Sequence, residues 1–300
     1  MQRCDLKADR DEKPRSSNEA AKTTAWCHVD MDGLDAIYRH RGYLYSGRDG
    51  GFYRSAVENA LEFFDAEGLR ATFFFIAQDF EIPERKSALA DIRREGHAIA
   101  SHGLSHRKLS MLTARERRME IAESKKRIED ASGIECLGFR APSYAMNMDS
   151  LRLCGEAGYL YDSSLFTGNA MYENMRDCDE SRGIRRVLGD GEFFEVPVPR
   201  LSRWLPPFHP CYSFYLTRYY FRLGAMSHQR RYDSQTMLFH LSDFSSHVSM
   251  PQGLRQRFYT NDFFTWESKR AFLHELVRFM KLSCRFVRLE DHFGETLLKE

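Results

Sequence analysis

The order of apolar and polar residues predicts strands that alternate with helices along most of the chain. Residues 26–30, 71–76 and 236–240 form short runs rich in aromatic and β-branched residues, which are typical of buried strands. Residues 55–67 and 265–282 instead repeat their apolar side chains at the spacing of an amphipathic helix. Because strands and helices alternate, we expect parallel βαβ units within a single α/β domain.

The helix over 113–132 has the strongest end signals, with Thr113 and Glu116 in capping-box spacing and Gly133 after its last residue. Further helices are expected over 83–95 and 148–157, and further strands over 97–101, 137–140, 159–162, 193–198 and 286–289. The glycine-rich or polar segments 34–53 and 167–191 are expected to be loops. About seven strands in this order favour a barrel, in which functional residues lie at the carboxyl ends of the strands.

Composition narrows the class of protein. A length of 300 residues suits one α/β barrel, and a net charge of +1 gives no electrostatic sign of a nucleic-acid partner. Residues 1–24 are too polar to pack or to act as a secretory signal, so we expect a disordered tail before a folded domain over 25–300. The seven cysteines include no CxxC pair, which favours free thiols and a cytoplasmic location, at most peripheral to a membrane.

Carboxylate and imidazole side chains follow two of the predicted strands. Asp30 and Asp32 end the first strand, and His102 and His106 follow the strand over 97–101. One aspartate and two histidines offer three ligands and an open position to a divalent metal, and the other aspartate remains as a base. Each pair alone has an ordinary explanation, because a solvated turn would account for the aspartates and chance for the histidine spacing.

Three more segments place reactive side chains at predicted strand ends. Arg140 follows the strand over 137–140, Asp162 ends the strand over 159–162, and His240 ends the strand over 236–240. Taken singly, they would be a surface arginine, a helix cap and a core histidine. Their shared position at strand ends favours a single hydrolytic site.

The five segments, in this order and at this spacing, resemble the motifs of the NodB-homology polysaccharide deacetylases, carbohydrate esterase family 4. The resemblance covers about residues 25–290, nearly the whole predicted domain. It implies a distorted (β/α)7 barrel that removes an acyl group from an amino sugar.

The resemblance also implies a role for each side chain. Asp32, His102 and His106 would hold the metal, most often Zn²⁺, with Co²⁺, Mn²⁺ or Ni²⁺ as alternatives. Asp30 would be the general base, oriented by Arg140, and His240 the general acid, oriented or tuned by Asp162. A backbone N–H near Ser143, beside Tyr144, would contact the oxyanion.

Two positions depart from the family pattern. Met31 separates two aspartates that are usually adjacent, which leaves open which of Asp30 and Asp32 is the base and which the ligand. Both can still face inward, because alternate residues of a strand point to the same side. Leu165 stands where a tryptophan often lines the acyl pocket, so the acyl group is open as well.

An aromatic and basic stretch over 204–226 is the remaining informative segment. It is expected either to be a core helix or to form an apolar lip that contacts a membrane or a lipid-linked sugar. The leading hypothesis is a cytoplasmic, metal-dependent N-deacylase of an N-acylated sugar, lipid- or nucleotide-linked, in surface-glycan or glycolipid biosynthesis. The alternatives are an allantoinase-like hydrolase of a non-sugar linear amide and a catalytically silent barrel that binds glycan.

Overall fold

The computed structural model describes residues 22–40, 42, 49, 51–178, 181–187, 192–245 and 260–294. Strand β1 (Thr23–Asp30) pairs in parallel with β2 (Ala71–Phe75) on one side and with β9 (Ser234–His240) on the other. The register places Asp30 opposite both Phe74 and His240, so the ends of these three strands lie at one level.

The sheet continues from β2 through parallel neighbours. These are β3 (Ala98–Ser101), β4 (Gly138–Phe139), β5 (Tyr161–Asp162) and β8 (Phe194–Glu195). The antiparallel hairpin β6 (Arg176–Cys178) and β7 (Ser181–Arg186) extends β8, and β10 (Cys284–Phe286) pairs with the start of β1. The sheet is a nearly closed barrel within a single α/β domain, which confirms the predicted fold class.

Helices connect the strands on the outside. They are α1 (Leu34–His40), α2 (Phe52–Ala66), α3 (Pro83–Arg94), α4 (Ala114–Ser132), α5 (Met148–Glu156), α6 (Ala170–Glu173), α7 (Pro210–Gln229), α8 (Trp266–Ser283) and α9 (Leu289–His292). Short 3₁₀ turns lie at Ala77–Glu81, Leu109–Met111, Pro142–Tyr144 and Leu241–Phe244. The predicted capping box of α4 is confirmed, with the Thr113 hydroxyl accepting from the Glu116 N–H and Gly133 in a left-handed conformation.

Two predicted loops contain regular structure. Helix α1 lies within 34–53 because Leu34, Ala36 and Tyr38 are buried, and an Asp35–Arg39 ion pair of 2.9 Å joins successive turns. The rest of that prediction, residues 41, 43–48 and 50, lies outside the described residues.

The segment 167–191 was also wrongly expected to be a loop, since it contains α6 and the β6–β7 hairpin. The buried Tyr172 hydroxyl donates to the Gly183 carbonyl at 2.9 Å, which fastens the helix to the hairpin. Residues 179–180 and 188–191 lie outside the described part of the chain. At the other end, residues 1–21 of the predicted tail also lie outside it, and β1 begins at Thr23 because β9 and β10 pair with its first residues.

The alternation of β1 decides which side chains reach the barrel interior. Ala25, Cys27 and Val29 pack with the core between sheet and helices, whereas Trp26 belongs to a separate core cluster with Phe74 of β2. His28 and Asp30 follow Trp26 at alternate positions, and both are buried. The end of β1 therefore directs the Asp30 carboxylate into the mouth of the barrel.

Candidate active site

Asp32, His102 and His106 converge at the barrel mouth from two loops. The Asp32 carboxylate oxygen Oδ1 lies 3.4 Å from His102 Nε2 and 3.1 Å from His106 Nε2. His102 Nδ1 lies 2.9 Å from the Arg140 carbonyl oxygen, which accepts a hydrogen bond from it. This hydrogen bond orients the imidazole so that its Nε2 faces Asp32.

The same three side chains fit a divalent metal. Their ligand atoms lie within 4.8 Å of one another, and within the described chain Asp32 Oδ1 is buried without a hydrogen-bond donor. Burial alone would raise the pKa of Asp32, but His106 and His102 hold it well below its usual value. A carboxylate facing two imidazoles is a donor set that zinc takes in catalytic sites, with a further position open.

Glu120 of α4 shapes the turn that carries the histidines. Its buried carboxylate accepts the backbone N–H groups of Leu104 and Ser105 at 3.0 Å each, and the Ser105 hydroxyl as well. His106 itself adopts a left-handed backbone with φ 58°. Sequence reasoning missed Glu120, whose only signal was a carboxylate on the apolar side of a helix.

Asp30 is held by Arg140, and both side chains are buried. Arg140 Nη1 donates to Asp30 Oδ1 at 2.6 Å, Nε to the Ser163 carbonyl at 2.7 Å, and Nη2 to the Ser163 hydroxyl at 2.7 Å. The guanidinium also lies 4.1 Å from the centre of the Phe74 ring. These contacts leave Asp30 Oδ2 on the side of the cavity.

His28 lies beneath this pair. Arg140 Nη2 is 2.7 Å from His28 Nδ1, and a guanidinium only donates, so Nδ1 accepts and carries no proton. Burial, reinforced by the Arg140 charge, lowers the pKa of His28 well below its usual value. His28 is therefore part of the support for Arg140, a role that the sequence analysis did not assign.

His240 faces Asp30 from the end of β9. Its Nε2 lies 3.9 Å from Asp30 Oδ2 and 3.5 Å from the Tyr144 hydroxyl. Ser143 and Tyr144 both have left-handed backbones, with φ of 57° and 58°. The Ser143 hydroxyl lies 2.6 Å from Nε2 of His40, which also lines the cavity and was not predicted as a site residue.

Asp162 was expected to orient or tune His240, but its hydrogen bonds go to Ser164. Its carboxylate accepts the Ser164 N–H at 3.0 Å and the Ser164 hydroxyl at 2.8 Å, and that hydroxyl oxygen accepts the Ala141 N–H at 2.8 Å. Within the described residues it makes no hydrogen bond or ion pair with His240. Burial raises the pKa of Asp162 to about 6 and the pKa of its neighbour Glu195 well above the usual value. Asp162 therefore braces the segment after Arg140.

The site opens into a cavity of about 160 Å³. It is lined by Asp30, Asp32, Ile37, His40, His102, His106, Ser143, Tyr144, Cys211, Tyr212, Tyr215, His240, Ser242 and Asn261. Leu165 is buried and does not belong to this lining. The cavity thus combines three possible metal ligands, the Asp30 carboxylate held by Arg140, and the His240 imidazole opposite it. This combination is the architecture of a hydrolase.

Comparison with known proteins places this architecture in a family context. Residues 45–161 match the sequence model of the family described as Polysaccharide deacetylase, a range that includes His102, His106 and Arg140. A peptidoglycan deacetylase-like protein of Gibberella zeae is 26% identical over 145 residues, which are 47% of this chain and 40% of that protein. The match thus spans less than half the length of that relative.

Solved structures agree on the fold. A structure described as a polysaccharide deacetylase from Mycobacterium smegmatis is 20% identical, with a TM-score of 0.63 over 94% of this chain and 93% of that one. The allantoinase PuuE is 14% identical, with a TM-score of 0.62 over 97% and 96%. The likeness to polysaccharide deacetylases in sequence thus covers part of the chain, and the two solved structures share its fold.

Proposed function

We propose that the chain is a metal-dependent hydrolase that removes an N-acyl group, most simply N-acetyl, from an amino sugar. The observation that carries this proposal is the convergence of the Asp32, His102 and His106 ligand atoms beside Asp30 and opposite His240 in one cavity. Amide hydrolysis needs an electrophile for the carbonyl, a base for water and an acid for the amine. The cavity offers side chains for all three.

Asp32, His102 and His106 would hold the ion, with zinc the best match to the ligands. When bound, zinc supplies a Lewis acid that polarises the acyl carbonyl. The contacts favour one division of labour between the aspartates, because Asp32 faces the imidazoles and Asp30 faces Arg140.

The other side chains would then move the protons. Asp30 Oδ2 takes a proton from the attacking water while Arg140 fixes Oδ1. His240, at the end of the neighbouring strand β9, gives a proton from its Nε2 to the departing amine. The Tyr144 N–H is engaged with the Ala141 carbonyl at 2.9 Å, which favours the Ser143 N–H as the oxyanion donor.

A mass-spectrometric screen tests this function. N-acetylated sugar nucleotides, lipid-linked sugars, chitooligosaccharides and allantoin would each be incubated with the chain and with Asp30→Asn. We expect loss of an acetyl group from at least one sugar, and none with the variant. Allantoin is included because the match to PuuE allantoinase is as good in shape as the match to the deacetylase. Turnover of allantoin alone would replace the sugar hypothesis.

The aromatic stretch supports a peripheral membrane contact and a lipid-linked substrate. Thr217, with φ 76° and ψ 159°, interrupts α7. Tyr219, Leu223 and Met226 are exposed at helical spacing on the part after Thr217, and Tyr212 and Tyr215 on the part before it line the cavity. The exposed apolar residues after Thr217 thus lie on the same element as two residues of the cavity wall. The core interpretation holds for part of the stretch, since Phe208 and Phe221 are buried.

The arginines of this stretch contribute less than the sequence indicated. Arg218 and Arg222 each pair with Glu275 at 2.8 Å, which reduces their attraction for anionic headgroups. No helix in the described part of the chain is long and apolar enough to cross a membrane. Five described cysteines are free thiols, which favours the proposed cytoplasmic location.

Sedimentation with liposomes tests the membrane contact. Tyr219→Ser/Leu223→Ser is expected to reduce binding and turnover of a lipid-linked sugar, while a short soluble sugar is turned over as before. Leu282→Ser is the matched control, because Leu282 is a similarly exposed apolar residue on α8. Equal liposome binding by the unaltered chain, the Tyr219→Ser/Leu223→Ser variant and the Leu282→Ser variant would rule out this surface as the membrane contact.

A further inference from the structure

A buried arginine that takes no part in proton transfer lies behind the candidate metal ligands. Arg85 of α3 is 3% exposed, and its Nη1 donates to Asp79 Oδ1 at 2.6 Å. Its Nη2 donates to Asp35 Oδ1 at 2.5 Å, and the guanidinium lies 4.9 Å from the centre of the buried Tyr53 ring. Arg85 thus forms an ion-paired bridge between two carboxylates that belong to different segments of the chain.

One end of this bridge reaches the segment that carries Asp32. Asp35 lies in the first turn of α1, and the Ile37 N–H donates to the Gly33 carbonyl at 3.0 Å. A Cβ atom on Gly33 would lie 2.7 Å from Arg85 Nη2 and 2.8 Å from Asp35 Oδ1. The guanidinium therefore packs directly against the backbone that follows Asp32, where β1 passes into α1.

The other end of the bridge reaches the segment that carries the two histidines. Asp79 belongs to the 3₁₀ turn Ala77–Glu81, whose first two N–H groups donate to the carbonyls of Gly103 and Leu104 at 3.0 and 2.9 Å. Both carbonyls lie between the two histidines in the chain. Arg85 is therefore connected to both of the loops that supply candidate metal ligands.

We propose that Arg85 is a positioning residue that sets the separation between Asp32 and the two histidines, and that the ligand set binds a divalent metal more weakly without it. This inference rests on the proposed function, which assigns Asp32, His102 and His106 to the metal. The aspartate follows β1 and the histidines follow β3, and β2 lies between these strands in the sheet. The Arg85 bridge links the two loops beyond the strand ends.

Two neighbouring arginines do not form this link. Arg39 pairs with Asp35 at 2.9 Å, but both residues lie on α1. Arg127 of α4 pairs with Glu81 in the 3₁₀ turn at 2.9 Å, and its second ion pair, with Glu123, is within its own helix. Within the described residues, neither arginine's ion pairs join the two loops.

Charge and position make different predictions for the removal of Arg85. Burial alone would lower the pKa of Arg85, but Asp79 and Asp35 raise it above the usual value, so the guanidinium is charged. Losing a positive charge near a metal site tightens cation binding, or leaves it unchanged if Asp79, whose pKa burial raises to about 7, takes up a proton. A loosened ligand set instead binds metal more weakly, since the loss of an outer contact costs about 10–100-fold in affinity.

The experiment measures zinc affinity, by competition with a chelator, for the unaltered chain, Arg85→Met, Arg85→Lys and Arg185→Met. Arg185 is the matched control on β7, since it lies 4.9 Å from the centre of the Tyr172 ring and pairs with Glu173 at 3.8 Å. We expect affinity to fall about tenfold or more in Arg85→Met and to stay unchanged in Arg185→Met. Arg85→Lys should lie between, because lysine keeps the charge but not the planar pair of donors. An affinity in Arg85→Met equal to that of the unaltered chain, or higher, would overturn the proposal.

A double variant keeps the test valid if Arg85→Met does not fold. Arg85→Met/Asp79→Asn removes the buried carboxylate together with its partner, so it should be more stable than Arg85→Met and should still bind zinc weakly. The absorption spectrum of bound Co²⁺ gives a second readout, because its visible bands depend on ligand geometry. The bands should change in the Arg85 variants and not in Arg185→Met, and an identical spectrum and affinity in the double variant would contradict the positioning role.

These readouts require no substrate, so they separate the positioning role from the proposed reaction. Zinc binding that depends on Arg85, without loss of an acyl group from any sugar, would support the positioning role and count against the proposed function. Turnover of an acetylated sugar together with unchanged zinc affinity in Arg85→Met would overturn the positioning role alone. Absence of zinc binding by the unaltered chain would overturn both.

Discussion

Replacement of Arg140 by methionine tests the central contact of the site. Methionine keeps much of the apolar stem of the side chain but removes every donor. Arg140 donates to Asp30, to the Ser163 carbonyl and hydroxyl, and to His28, at 2.6 to 2.7 Å. In the variant, all these acceptors stay in a buried site without their partner.

The expected loss of stability follows from that burial. Arg140 and Asp30 are both buried, so water does not screen their interaction. Removing one partner of a buried ion pair costs about 3–5 kcal/mol. The additional unpaired acceptors at Ser163 and His28 favour the upper end of that range. Total stabilities of domains are about 5–15 kcal/mol, so Arg140→Met should fold only marginally and should be inactive.

A double-mutant cycle measures the pairing itself. Adding Asp30→Asn to Arg140→Met removes the unpaired buried charge, so the double variant should be more stable than Arg140→Met by roughly 2 kcal/mol. Arg140→Lys keeps the charge but not the planar set of donors and should fall between the two. Urea unfolding followed by circular dichroism gives these values. Additive effects of Asp30→Asn and Arg140→Met would refute the argued pairing.

The remaining predictions concern the metal and the proton-transfer groups. His102→Ala/His106→Ala should lose both metal, measured by mass spectrometry of metals, and activity, and full metal occupancy would remove the ligand assignment. Asp30→Asn and His240→Ala should retain the metal and lower kcat by about 10²–10⁴-fold, whereas loss of metal in Asp30→Asn would exchange the roles of the two aspartates. Glu120→Gln keeps the shape of the acid but weakens its hold on the histidine turn, so metal affinity should fall about tenfold or more in a competition assay with a chelator, and an unchanged affinity would contradict that hold.

The parts of the site that could be predicted from sequence are those that lie at strand ends. Hydrophobic runs located β1, β3 and β9, and the residues that follow them are Asp32, His102 and, at the end of β9, His240. Parallel strands bring their carboxyl ends to one rim, so the order of strands was enough to expect a shared site. The same reasoning predicted the ends of α4, because capping is a local property of a few neighbouring residues.

The parts that could not be predicted depend on contacts between distant segments. Ser242, which lines the cavity, accepts from Lys269 only because α8 packs against the turn after β9. Glu120 reaches the His102–His106 turn from the middle of a helix, where its spacing is that of an ordinary helix residue. The family pattern gave Asp162 a place beside His240, but the pairing of β5 with β8 sets it opposite Glu195 instead. Sequence spacing holds no record of such pairings.

Backbone strain is concentrated where the site is built. Of the five non-glycine residues with positive φ in the described part of the chain, four line the cavity, namely His106, Ser143, Tyr144 and Asn261. Such conformations cost about 1–3 kcal/mol each and persist only where the surroundings enforce them. Glu120 enforces the first turn through the N–H groups of residues 104 and 105, and the Ser164 hydroxyl enforces the second through the Ala141 N–H. Each of the two strained turns is thus held by a buried carboxyl group, Glu120 for the first and Asp162, through Ser164, for the second. They direct the His106 imidazole and the Ser143 N–H into the same cavity. Because Asp162 anchors that Ser164 hydroxyl, it contributes to the site through the backbone after Arg140.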